Sequence, residues 1–98
     1  MLTGTDLRSA DLTGADLSGC LLRGVDLSNA NLSEANLSGT NFFCALIRHP
    51  NMENSDLRGA NFSYSVFLNA NLTNAKYNNQ TIWPNGFEVE VSGAVRIP

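Results

Sequence analysis

The sequence holds little of what usually carries chemistry. Its 98 residues include one histidine and two cysteines, too few for a disulfide framework or a ligand cluster. Cations are scarce as well: six Lys and Arg stand against nine Asp and Glu. The resulting net charge of −3 argues against a general nucleic-acid-binding surface. With three Pro and eight Gly, the composition is neither collagen-like nor that of a disordered chain. No apolar run approaches the ~18 residues of a membrane span, and no signal-peptide pattern opens the chain. The expectation is a protein without membrane contact, cytoplasmic by default. The length allows one small domain, and a compact globule of this size buries roughly two-thirds of its unfolded surface.

What the chain has in abundance is periodicity, and repeats decide a fold before anything else does. It opens Asp6-Leu7-Arg8-Ser9-Ala10, Asp11-Leu12-Thr13-Gly14-Ala15, Asp16-Leu17-Ser18-Gly19-Cys20. Every fifth residue from Leu2 to Ile82 is Leu, Ile, Met, Phe or Tyr. Two places before each large residue stands, in most units, a small one such as Ala15, Ala35, Ala45 or Ala75, and between them Asp or Asn. Five residues of α-helix advance about 500°, so successive apolar residues drift by about 140° and form no stripe. In a straight strand, an odd period sends successive large residues to opposite faces. The conflict vanishes if the chain turns a corner once per unit. The large residue and the small one two places earlier then line a common axis, as in a solenoid. Asp or Asn, and the two residues after the large one, face outward, where Ser, Thr, Asn and Gly supply turn chemistry.

A second period sets the size of one coil. Gly19, Gly39 and Gly59 are 20 apart, as are Asp6 and Asp26, and Phe42 and Phe62. Four units per coil follow, with inner ladders Leu7-Leu27-Ile47-Phe67, Leu12-Leu32-Met52-Leu72 and Leu17-Leu37-Leu57-Tyr77. Outward Asn31, Asn51 and Asn71 are expected to stack with their amides paired. The runs Ala15-Asp16-Leu17-Ser18-Gly19 and Ala35-Asn36-Leu37-Ser38-Gly39 resemble the pentapeptide repeat family, over residues 5–82. The resemblance implies an all-β fold, a right-handed quadrilateral parallel β-helix with four pentapeptides per coil and about four coils. Residues Ala75-Lys76-Tyr77-Asn78 and Thr81-Ile82-Trp83-Pro84-Asn85-Gly86-Phe87 resemble the close of many bacterial members, especially those of photosynthetic bacteria. Residues 1–82 are assigned to the β-helix and 83–98 to a C-terminal cap or tail.

Exceptions to so regular a repeat are informative. Leu21, Leu46 and Val66 occupy the outward place normally held by Asp or Asn, and Phe43, Tyr64 and Leu68 are outward nearby. Folded into 20-residue coils, these six fall on two adjoining sides. Single exposed apolar residues need no explanation, but a contiguous patch marks a contact surface or a face packed under the tail. Pro50 takes an inward small place and has no N–H to donate, so Leu46–Pro50 is expected to be a local irregularity with His49 exposed. Cys20 is in phase with the inward alanines and is expected to be a buried thiol, Cys44 an outward one. The two lie on the order of 12 Å apart, too far for a disulfide. Successive Asp residues fall on different sides, so they make no paired acid–base or metal site.

The ends differ. Trp83, Pro84 and Phe87 break the period and can cover the last coil, and Phe87-Glu88-Val89-Glu90-Val91 alternates like a short strand. Leu2 is already in phase, so Leu2, Leu7, Leu12 and Leu17 are expected to stack against another copy or a repeat segment of another chain. The function expected is a non-catalytic structural or protein-interaction module, without cofactor, metal or catalytic residues, whose partner is a protein and neither nucleic acid nor membrane. The alternative, which the family resemblance implies, is a duplex-DNA mimic that binds a type II topoisomerase. That requires a long, strongly acidic rod, whereas about four coils span roughly 20 Å and many outward places hold neutral Asn.

Overall fold

The computed structural model describes residues 3–98, so Leu2 lies outside the described residues. Its framework is a β-helix-like solenoid built from one repeated local cycle. In most units the outward residue forms a parallel bridge to its counterpart 20 residues on: Asp6 to Asp26, Asp11 to Asn31, Asn31 to Asn51, Asn51 to Asn71. The next residue points inward, two residues make a turn, and the small residue points inward again. Backbone bonds run both ways between successive passes. The Leu7 and Leu27 N–H groups donate to the carbonyls of Asp26 and Leu46 at 2.8 Å, and Asn31 N–H donates back to Ala10 at 2.9 Å.

The turn explains the small residue and the glycines together. The Ala15 and Ser55 N–H groups donate to the carbonyls of Leu12 and Met52, three residues back, at 3.0 and 3.1 Å. The residue before each small one from Ala10 to Ala75 has positive φ, +67° at Gly39 for example. That bond and that φ mark a type II turn, which glycine fits without a Cβ penalty. Glu34, Cys44, His49 and Tyr64 hold the same left-handed conformation with φ between +57° and +62°.

Inside, Leu22, Leu27, Leu32, Leu37, Ile47 and Leu57 are fully buried together with Phe42 and Phe62. Each such side chain contributes about 1.5–3 kcal/mol relative to exposure. Hydroxyls at small inward places bond to the backbone: Thr40 Oγ1 donates to Leu17 at 2.9 Å and Thr81 Oγ1 to Leu57 at 2.8 Å. Four short strands stand out from the turns. β1 (Leu46–Arg48) pairs in parallel with β2 (Val66–Leu68), and β3 (Lys76–Tyr77) with β4 (Val95–Arg96).

Two expectations need correction and a third takes a definite form. Leu46–Pro50 does depart from the turn of the other units, but as a strand, half of the longest pairing, with Pro50 buried in its small place. Ile82 does not continue the inward row. The turn at Asn78–Thr81 takes in one extra residue, so Asn61 bridges to Ile82, which is 50% exposed. Thr81 fills the small place instead, and Trp83 stacks on Phe62 at 5.2 Å. Cys20 is half-buried rather than buried, because it lies in the first pass and is covered from one side only among the described residues.

Candidate interaction surface

The outward Asp and Asn residues build turns. The Asp11 carboxylate accepts Thr13 N–H at 3.1 Å, Asn31 Oδ1 accepts Ser33 N–H at 3.0 Å, and Asn51 Oδ1 accepts Glu53 N–H at 3.1 Å. This is the Asx turn, in which the side chain satisfies the N–H two residues on. It occupies the amide oxygens of the column expected to pair along the stack. In this column the described residues make one long contact between coils, from Asn71 Nδ2 to Asn51 Oδ1 at 3.5 Å. The same bonds set the acidity of the aspartates. Side-chain and backbone donation from Arg8 holds Asp6 at about 2, and hydrogen bonds from Thr13 and Ser18 lower Asp11 and Asp16. Asp56 is lowered by its side-chain bond to Arg58. Among the described residues no group of three or more His, Cys, Asp or Glu is placed to hold a metal ion.

Where Asx is missing, the surface changes character. Leu46, Val66 and Lys76 open β1, β2 and β3, and Leu46 and Val66 stand side by side across the β1–β2 pair. Leu46 is 37% exposed, Val66 40%, Leu68 52% and Tyr64 78%. Phe43 is half-buried, its ring 5.4 Å edge-on from Tyr64 and 5.1 Å below the Arg23 guanidinium. Leu21 is also half-buried, bridged to Asn41, and keeps its turn through Val25 N–H to Leu22. Four of the six residues are thus openly apolar, and two are partly covered by their neighbours. His49 is exposed beside them.

The first-pass residues Leu7, Leu12 and Leu17 are half-buried against the core. At the other end, Trp83 and Phe87 close the aromatic stack. Trp83 lies 5.8 Å from Phe67 and Phe87 5.2 Å from it, with 4.8 Å between their own rings. Each aromatic pair adds about 0.5–1.5 kcal/mol beyond its buried area. The segment Phe87–Val91 is not the strand its alternation suggests. Phe87 N–H closes a turn onto Pro84 at 3.1 Å, and Val89–Val91 form one 3-10 turn with no buried residue. The strand comes later: Val95 N–H and Ile97 N–H donate to Ala75 and Tyr77, each at 2.7 Å, returning the tail to its own last coil.

A stack of short turns with ladders 20 residues apart, lined by one large and one small residue per unit, defines a solenoid repeat protein. The sequence profile of pentapeptide repeats matches residues 2–39 and 40–76 in 8 copies, and the chain belongs to that family. Similar solved structures agree. A pentapeptide repeat protein of Nostoc is 28% identical with a TM-score of 0.55, over 97% of this chain and 83% of that one. One from the Arabidopsis thaliana thylakoid lumen is 31% identical with a TM-score of 0.78, over 95% of this chain and 62% of that one. A third, from the cyanobacterium Cyanothece, is 31% identical with a TM-score of 0.59, over 81% of this chain and 57% of that one. The chain therefore spans less than two-thirds of the length of the last two. No curated protein matches it. No helix among the described residues is long and apolar enough to cross a membrane.

Proposed function

We propose that the chain is a right-handed, four-sided β-helix of about four coils acting as a non-catalytic protein-interaction module in the cytoplasm. Residues 1–82 form the repeat body of this reading and 83–98 its cap. The contact surface is the apolar flank of Leu21, Phe43, Leu46, Tyr64, Val66 and Leu68. The observation that carries it is the exposed outward face of β1 and β2, where Leu46 and Val66 stand side by side next to Leu68, at places the repeat otherwise gives to Asp or Asn. Leu7, Leu12 and Leu17 form a second candidate surface, fit to receive a further coil of the same repeat. A duplex mimic is less well supported, because the outward column Asp11, Asn31, Asn51, Asn71 loses its charge after one residue. The Asp16 column ends in Lys76.

The test is the double variant Leu46→Asp, Val66→Asp. Both side chains are partly exposed, so circular dichroism and the thermal midpoint are expected to change little. Sedimentation equilibrium at high micromolar concentration is expected to show the parent associating and the variant reduced to monomer. Identical association of the two proteins would exclude the flank as the contact surface.

A further inference from the structure

Among the described residues the outer edge of β2 has no mate, and one strand-patterned segment has no strand. Inward N–H groups, and those two residues further on, point to the following pass: Leu27 donates to Leu46, Asn29 to Arg48, His49 to Leu68. On β2 the equivalent donors are Phe67 and Asn69, and among the described residues no backbone acceptor meets either. The reason is local. The chain leaves the ladder at Pro84 and turns through Phe87, so Pro84–Glu88 passes beside β2 without pairing. A cleft of about 340 Å³ remains between Val66–Leu68 and Pro84–Glu88, room for about ten waters.

The unpaired segment lies just beyond that cleft. Glu88-Val89-Glu90-Val91 alternates with β-branched valines, a pattern suited to strands and unfavourable in helical turns. Yet Val89–Val91 is a 3-10 turn, Val91 is 81% exposed, and the closing bond from Val91 N–H to Glu88 is long at 3.4 Å. A sequence preference at odds with its local structure, beside an edge that needs a strand, joins the two observations.

We propose that the open edge of β2 receives the Glu88–Val91 segment of a second copy, each chain lending its strand to the other. The proposal rests on the flank as a contact surface and extends it by one strand. Val89 and Val91 are two apart, as are Val66 and Leu68, so an added strand continues the apolar edge on the outward side. A reciprocal exchange about a two-fold axis closes at two copies and leaves neither β2 edge open.

The probe is a labelled synthetic peptide of residues 86–92, followed by fluorescence anisotropy and by emission of Trp83, the single tryptophan. It is expected to bind the full chain and to compete with dimerisation in sedimentation equilibrium. N-methylation of its four central amides is expected to weaken binding at least tenfold. In the full chain, Val89→Asp with Val91→Asp is expected to lower association at least tenfold, with the fold kept because neither residue is buried. Equal binding by the N-methylated peptide would overturn strand pairing. No peptide binding, with association still abolished by Leu46→Asp and Val66→Asp, would overturn the strand exchange alone. No association of the parent chain at all would overturn both readings.

Discussion

Two columns of the same solenoid, Leu32-Met52-Leu72 and Leu27-Ile47-Phe67, share one core and carry different surfaces. In the first, Asn31, Asn51 and Asn71 each cap the N–H two residues on. The N–H groups of Ala35, Ser55 and Ala75 close the turns. In the second, Asp26 caps Ser28 and Ala30 closes its turn, but Leu46 and Val66 supply no acceptor and Pro50 has no N–H. There the backbone straightens into β1 and β2. Leu21 shows that losing the cap alone is insufficient, since its unit keeps the turn. The loss of both, in the Pro50 unit, opens a strand, and the pass stacked on it follows in register. The outward Asx is therefore a turn-forming residue, and its absence frees an edge and an apolar flank at the same place.

The largest expected effects are those the columns share. Ile47→Ala and Met52→Ala should each lower stability by about 2–5 kcal/mol in urea unfolding, because both side chains are fully buried. A clear inequality would mean that the strand side packs differently inside. Next comes the cap. Asn51→Ala should lose about 1 kcal/mol, while Leu46→Ala should stay within about 0.5 kcal/mol. Left-handed turn residues should respond alike on both columns. Glu34→Gly and His49→Gly should each gain about 0.5 kcal/mol by relieving a positive φ.

The smallest effect is acidic. Folded-state pKa values of Asp6, Asp11 and Asp16 are depressed, so the stability they provide is full above the unfolded carboxylate range near pH 3.9. That stability drains as pH falls toward about 2, the value of Asp6. The thermal midpoint should drop below pH 4, and Asp11→Asn with Asp16→Asn should flatten the drop while keeping the caps.

Much of this was legible in the sequence because it is periodic. The inner ladders, the small places and the outward Asx row follow from spacing alone, and so do the six apolar departures. Spacing did not reveal why Asx is there, since its partner is a backbone N–H that any residue carries. Pro50 signalled a missing donor, but an unpaired turn can collapse or extend. Here it extends, with Val66 opposite Leu46. Ile82 misled because a one-residue insertion at Asn78–Thr81 leaves the apolar count intact while shifting its phase. The tail's alternation misled for another reason: Phe87 is anchored on Trp83 and Phe67, which turns the chain before a strand can form.

The most direct measurement is amide hydrogen exchange at two protein concentrations, read residue by residue. If the open edge of β2 is where copies meet, raising the concentration slows exchange at Phe67 and Asn69, while the amides of Glu53 and Thr73 on the capped column stay unchanged. Equal exchange at Phe67 and Asn69 at both concentrations, in a sample that sedimentation shows to be associated, would contradict it.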